Sequence, residues 1–250
     1  ATHVVEDYKE GWCDALTLGL KTWYAGHDIE FDFSKIRPAG ARLKVMGGKA
    51  SGPEPLRSLL GFARERILTR QGRRLRNIDA HDVICKIGEC VVAGGVRRTA
   101  MISLSDLDDT EIRDAKKGQF YLTDPHRSVA NNSAVYEQKP TSTELMDEWV
   151  ALMKSGSGER GIFNRGSLRA TMPARRIALL EKKYGKGNMG QMGTNPCGEI
   201  ILQSKQFCNL SEVIARASDT EATLLRKARL ATILGTYQSS LTNFRYISKE

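Results

Sequence analysis

A chain of 250 residues is long enough for one large domain or two ordinary ones. At 40% hydrophobic and 27% charged residues it sits near the average of folded globular chains, which excludes a disordered or collagenous polymer, and no apolar run approaches the roughly 18 residues of a membrane span. Lys and Arg outnumber Asp and Glu by 38 to 29, and the resulting +9 points to an anionic partner (nucleic acid, nucleotide or acidic lipid) without choosing among them. Five cysteines, few and odd in number, do not read as a secreted disulfide framework, so reduced thiols in a cytoplasm are expected. The opening ATHVVEDYKEG has neither an initiating Met nor a signal-peptide pattern, and suggests a piece of something longer.

Gly and Pro divide the chain into alternating helical and short extended stretches, the pattern of an α/β fold. Asp7 to Trp23 predicts a helix with Trp12, Ala15, Leu16 and Leu20 on one face, and Ile29 to Phe33 alternates as a strand. A glycine-rich connection runs from Met46 to Pro55. Leu56, Leu59, Leu60, Ala63 and Ile67 then fall at helical spacing, with Arg57, Arg64, Arg66 and Arg70 on the remaining, solvated faces. The next helix starts near Asp79, runs through Val83, Ile84, Ile87 and Val91, and stops at Gly94-Gly95, where glycine can take the left-handed conformation. Arg97 to Leu104 reads as a strand. Thr141 and Glu144 have the spacing of a capping box, worth about 1 kcal/mol, and Ser218 with Glu221 repeats it before the last helix. That helix carries Leu224, Leu225, Leu230, Ile233 and Leu234 towards a packed interior that needs more chain than the few residues after it.

The stretch GTNPCGEIILQSKQFCNL, Gly193 to Leu210, is the richest in chemistry. If it is extended, Asn195, Cys197 and Glu199 project from one face, Pro196 and Gly198 allow a tight loop, and Ile200 to Leu202 anchor it as a buried strand. The competing reading is a buried Cys at a strand start, packed as a small hydrophobe. A carboxylate so close disfavours a thiolate, and His3, His27, His81 and His126 stand in no recognisable Cys/His context, so nucleophilic cysteine catalysis fits poorly. A neutral thiol that gives and takes a hydrogen atom tolerates that neighbour and leaves the carboxylate free to move a proton. Cys85 and Cys90, five apart on a helix, read as packing residues, and their spacing does not support a metal site.

Seven stretches in order, YKEGW (Tyr8 to Trp12), IRPAGARLKVMGGKASGPEPL (Ile36 to Leu56), VVAGGVRRTAMISL (Val91 to Leu104), RSVANNSAV (Arg127 to Val135), GTNPCGEI (Gly193 to Ile200), CNLSEV (Cys208 to Val213) and ILGTYQSSLTNF (Ile233 to Phe244), span nearly all of the chain. Together they resemble the large catalytic chain of ribonucleotide reductase, specifically its adenosylcobalamin-dependent class. The gap of eleven residues between Cys197 and Cys208 is similar to that class, because the iron-dependent class usually has a longer one.

The resemblance implies a ten-stranded α/β barrel of the ribonucleotide reductase and glycyl-radical type, with residues 1–250 as one partial catalytic domain that lacks the family's N- and C-terminal parts. It implies reduction of a ribonucleotide to a deoxyribonucleotide, adenosylcobalamin as cofactor, a dNTP effector, a thioredoxin-like dithiol reductant and a second chain that completes the barrel. Cys197 takes the place of the thiyl-radical cysteine, Glu199 of the proton relay, Asn195 of the residue that holds the sugar hydroxyls, and Cys208 of one redox cysteine, whose partner lies upstream of the matched region. Gly47, Gly48, Ser51, Gly52 and Thr194 match substrate-binding positions, and Gly94, Gly95, Arg97 and Arg98 the loop that joins effector to substrate. A different class of function, a non-catalytic basic relative that binds nucleotide or nucleic acid, is permitted by the charge. Its basic residues are spread along the chain with no aromatic-interleaved stripe.

Overall fold

The apolar spacing of the first third of the chain is realised as three packed helices. In a computed structural model, which describes residues 2–43, 47–93 and 99–244, the chain divides into two compact units, Ala1–Thr171 and Met172–Glu250. The loop positions Gly94, Gly95, Arg97 and Arg98 lie outside the described residues.

In the first unit, strand β1 (Thr2–Val4) leads into α1 (Lys9–Tyr24), and β2 (Glu30–Asp32) returns parallel to β1 with Thr2 opposite Glu30. Helices α2 (Glu54–Leu68) and α3 (Asn77–Val92) follow. Val5, Ala15, Trp23, Ile36, Leu56, Leu59, Leu60, Ala63 and Ile67 close one core, with Trp12, Leu16, Leu20 and Cys90 packed against it. Each large side chain so buried contributes about 1.5–3 kcal/mol, which explains why the i, i+3, i+4, i+7 pattern and not helix propensity fixes these elements. Burial pushes the Cys90 thiol up to about 11, consistent with packing as its role.

Beyond α3 lie β3 (Met101–Ser105), α4 (Thr110–Arg113), α5 (Phe120–Thr123), a 3-10 turn (Pro125–Val129), β4 (Ala130–Tyr136), α6 (Ser142–Ser155), β5 (Gly161–Asn164) and α7 (Leu168–Thr171). The three strands form a parallel sheet in the order β3-β4-β5, with Met101 opposite Ala130 and Ser133 opposite Gly161. Parallel neighbours need crossovers, which the short helices and α6 provide. The capping box that starts α6 is formed: Glu144 N donates to Thr141 Oγ1 at 3.2 Å and Thr141 N to Glu144 Oε2 at 2.7 Å. Helix α3 comes close to the entry of the sheet at Gly88, where an added Cβ would lie 3.0 Å from Val129 Cγ2 and 3.3 Å from Thr99 Cγ2.

The second unit contains α8 (Ala174–Tyr184), the antiparallel pair β6 (Met192–Thr194) and β7 (Ile201–Gln203), and α9 (Glu221–Ser239). The N-cap of α9 differs from expectation. Thr220 and Thr223 form it, because Asp219 turns its carboxylate to Arg216 N at 2.7 Å and to Lys227 Nζ at 2.5 Å, ending the irregular segment two residues later than a Ser218 cap would allow. No residue of α9 is buried, and Leu225 and Leu234 are each 64% exposed. The packed interior expected for this helix is thus not supplied by the described residues of its own unit. Among the described residues no helix is long and apolar enough to cross a membrane.

Candidate active site

Asn195 folds the chain between β6 and β7 back on itself. Its backbone N–H donates to Ile200 O at 3.1 Å, its side-chain Oδ1 accepts from Ile200 N at 3.0 Å, and its carbonyl accepts from Gly198 N at 3.0 Å. Gly198 has φ +90°, a left-handed backbone that an L side chain resists, so the turn needs glycine there. Residues 195–200 are therefore a looped hairpin connection and not an extended segment, and the alternating one-face arrangement expected from spacing is replaced by a turn. The reason is the asparagine amide, which satisfies the loop's own backbone and so competes with a ladder.

The loop still joins two of the three residues directly. Asn195 Nδ2 donates to Glu199 Oε1 at 2.7 Å, which fixes both the amide orientation and one carboxylate oxygen. Asn195 is buried, whereas Cys197, between them, is exposed with a free thiol. Thr194, at the end of β6, turns its hydroxyl to Asn195 O at 3.2 Å. The strand Ile201–Gln203 is anchored from outside the hairpin: Arg176 Nη2 donates to Ile201 O at 2.7 Å and Gln203 Nε2 to Met189 O at 3.2 Å. It is half-buried in a two-stranded ladder and not a fully buried strand. Cys208 is a free, half-buried thiol in the irregular segment after β7. Next to it Asn209 Nδ2 donates to Gly235 O of α9 at 2.8 Å.

Gly47, Gly48, Ser51 and Gly52 belong to the first unit. There Arg42 and Lys49 form an antiparallel bridge, Leu43 N donates to Gly48 O at 3.0 Å, and Gly52, at φ +75°, is so close to Ala39 that a Cβ would lie 2.9 Å from its nitrogen. They belong to a tight backbone turn in which the Gly48 carbonyl is used internally.

The first unit also holds a buried polar cluster that the spacing of the sequence does not announce. Asp82, 1% exposed, accepts from Arg127 Nε at 2.7 Å and Nη2 at 2.8 Å, with Arg66 at 3.7 Å. His126 Nε2 lies 3.1 Å from Asp82 Oδ1, off the direction of a good hydrogen bond. Burial opposes charge at Asp82, but the bonds from Arg127 and the closeness of the His126 and His81 rings hold its carboxyl well below the usual range. His81 Nε2 pairs with Asn132 Oδ1 at 3.0 Å, and its Nδ1 lies 3.5 Å from Cys85 Sγ and 3.6 Å from Asp82. Burial opposes its charge too, yet Asp82, Cys85 and Asn132 raise His81 to about 9. Asp82, Asp124 and His126 bring ligand-type atoms within 4.8 Å of one another. The Arg127 guanidinium already bonds both Asp82 oxygens and lies 3.4 Å from Asp124, so an organic cation stands where a metal ion would. The only signals in the sequence were polar residues at buried helical positions, Asp79, His81 and Asp82.

No protein-family model matches the chain. It is 36% identical over 221 residues to the adenosylcobalamin-dependent ribonucleoside-triphosphate reductase of Lactobacillus delbrueckii subsp. bulgaricus, an alignment covering 83% of this chain and 28% of that protein. To the proteins of the same name from Lacticaseibacillus paracasei and Euglena gracilis it is 34% and 31% identical, covering 89% and 87% of this chain and 29% and 28% of theirs. Among solved structures it is similar to a B12-dependent (class II) ribonucleotide reductase at a TM-score of 0.64 and 30% identity, over 84% of this chain and 28% of that one. The chain thus spans a little over a quarter of the length of the relatives it matches.

Proposed function

We propose, from the premise that this chain is homologous to a segment of the adenosylcobalamin-dependent ribonucleotide reductases, that it carries the hydrogen-atom chemistry of ribonucleotide reduction in the hairpin 192–203. The observation that carries this reading is the arrangement of the loop: an exposed thiol at Cys197 between an amide and a carboxylate that are hydrogen-bonded to each other. A buried, packed Cys is the alternative for such a residue, and its exposure speaks against it.

The residues present fit adenosylcobalamin as partner of Cys197, because a thiol at a loop tip is open to a bulky group. That cofactor, when bound, supplies the oxidising equivalent that removes the hydrogen atom from the Cys197 thiol. The Cys197 sulfur then takes a hydrogen atom from the 3′ carbon of the ribose and later returns it. Glu199 accepts the proton of the 3′ hydroxyl, and its bond to Asn195 Nδ2 presets the carboxylate for that transfer. Asn195 holds the sugar hydroxyls, with Thr194 beside it. Loss of the 2′ hydroxyl as water takes two electrons and two protons from a dithiol, of which Cys208 is one member. The oxidised pair becomes a disulfide, which an external thioredoxin-like dithiol reduces.

In this reading residues 1–250 are part of a ten-stranded α/β barrel, and the exposed apolar face of α9 is covered by protein that completes it. The turn at Gly47, Gly48, Ser51 and Gly52 borders the substrate, and the loop at Gly94, Gly95, Arg97 and Arg98 connects it to a dNTP effector. The reaction is cytoplasmic, where five free thiols persist.

The test is reduction of a radiolabelled ribonucleotide with adenosylcobalamin and a dithiol, using this chain alone, this chain with the products of neighbouring reading frames, and Cys197→Ala in that mixture. Cobalamin-dependent product in the mixture, abolished by the substitution, is expected. Absence of product from folded, associated chains would overturn the reading.

A further inference from the structure

Cys208 is held from both sides, by groups that all lie in the second unit. After β7 the chain turns through Gln203 to Gln206: Gln206 N donates to Gln203 O at 3.1 Å, Gln203 N donates to Gln206 Oε1 at 2.9 Å, and Lys205 takes the left-handed backbone at φ +65°. The residues after this turn run along α9 as a strap. Phe207, just before the thiol, meets Phe244 edge to face with ring centroids 5.2 Å apart. Asn209, just after it, donates from Nδ2 to Gly235 O at 2.8 Å. Further on, Lys227 Nζ donates to Ile214 O at 3.1 Å, and Arg216 N donates to Asp219 Oδ2 at 2.7 Å.

Burial does not hold this strap. Leu210, Val213 and Ile214 are exposed, and a groove of about 660 Å³ lies along Leu210, Ile214, Leu230 and Leu234. With little apolar area removed from water, the polar contacts decide where the strap sits. The contact at Gly235 needs a close approach. A Cβ there would lie 3.1 Å from Ser211 Oγ and 3.7 Å from Asn209 Nδ2, so the missing side chain lets the strap come down onto the helix backbone. A helix carbonyl keeps a second lone pair, and Asn209 uses it.

We propose that Asn209 is the positioning residue of Cys208, fixing the backbone beside the thiol to Gly235 of α9. The proposal rests on the reading of Cys208 as one member of the reducing dithiol and adds the residue that keeps its sulfur in place. To form a disulfide, two sulfurs must come within about 2 Å of each other in a narrow range of geometries, so loose backbone around one of them slows the step. In that step each thiol gives up its proton, and the pair passes two electrons to the substrate. Asn209 exchanges neither and acts only through the backbone it shares with Cys208.

Alkylation of the reduced full chain with iodoacetamide, followed by mass spectrometry, tests the restraint, because cleavage after Lys205 puts Cys197 and Cys208 on separate peptides. Asn209→Ala and Phe207→Leu should each raise the Cys208 rate by about fivefold, and Asn209→Gln should bring it back towards the parent rate. Cys197 should react alike in all of them. In the mixture that makes deoxyribonucleotide, Asn209→Ala should lower kcat by about tenfold or more and leave the KM for the ribonucleotide unchanged. A Cys208 rate equal in the parent and Asn209→Ala, or an equal rise at Cys197, overturns the proposal. Turnover retained by Cys208→Ser, with Cys208 still freed by Asn209→Ala, would instead overturn the reading of Cys208 as a redox cysteine, so the two fail separately.

Discussion

Asn195 and Glu199 form one unit: the amide of the first donates to the carboxylate of the second at 2.7 Å while its oxygen accepts the backbone N–H of Ile200 at 3.0 Å. Asn195→Ala removes both bonds and leaves the Ile200 amide without its partner, at a cost of about 1–2 kcal/mol in the local stability of the hairpin. Hydrogen exchange at Ile200 should accelerate by about tenfold or more. Asn195→Asp keeps the acceptor for Ile200 but sets two carboxylates side by side, so it should retain the amide protection and lose the fixed orientation of Glu199. Equal protection of Ile200 in the parent and the alanine variant would show that the side chain does not hold the turn.

The pair Asp82 and Arg127 is a buried charge with bidentate support. Arg127→Met strands the carboxylate and should destabilise the first unit by about 3–5 kcal/mol in urea unfolding, tempered by Arg66 nearby. The double variant Asp82→Leu/Arg127→Met should recover much of that loss, since removing both charges costs far less than orphaning one. A double variant no more stable than the single would place the loss in packing.

His81 couples the same cluster to pH. Its folded value of about 9 stands above the ordinary 6.5, so the protonated ring stabilises the fold. That contribution is complete below about pH 6.5 and disappears as pH rises through 9, a loss of about 1–3 kcal/mol. The urea midpoint should fall between pH 6.5 and 9 in the parent, and the fall should be smaller in His81→Gln. A midpoint that falls equally in both would assign the pH dependence to other groups.

Leu225 and Leu234 lie exposed on α9, with Tyr237 beside them at 74% exposure. In the chain alone Leu225→Lys/Leu234→Lys should change stability by less than about 0.5 kcal/mol, reduce binding of a hydrophobic dye and raise solubility. In a mixture with protein that completes the fold, the same substitutions should block association. A large stability loss in the isolated chain would mean that the face is already packed.

Much of the helical framework is legible in the sequence because it is written locally. Leu56, Leu59, Leu60, Ala63 and Ile67 repeat at helical spacing and are all buried, and the Thr141–Glu144 box spans four residues, so both need only short-range physics. The Asp82–Arg127 pair is 45 residues apart and the His81–Asn132 pair 51, and nothing in a periodic pattern encodes such partners. At the hairpin the arrangement of Asn195, Cys197 and Glu199 was not legible. Alternation suggested an extended strand, and the amide of Asn195 favoured a turn. The cap of α9 slipped by two residues because Asp219 and Lys227, eight apart, decide where the helix can begin.

The closeness of α3 at Gly88 ties two strand entries to one helix face. A Cβ there meets Val129, at the door of β4, at 3.0 Å and Thr99, two residues before β3, at 3.3 Å. Any sliding of α3 along its axis therefore displaces the starts of two neighbouring strands together, like a cam against paired followers. Gly88→Ala should disturb the amide signals of Met101 and Ala130 in concert, and a shift at only one of them would show that the two strand starts respond separately.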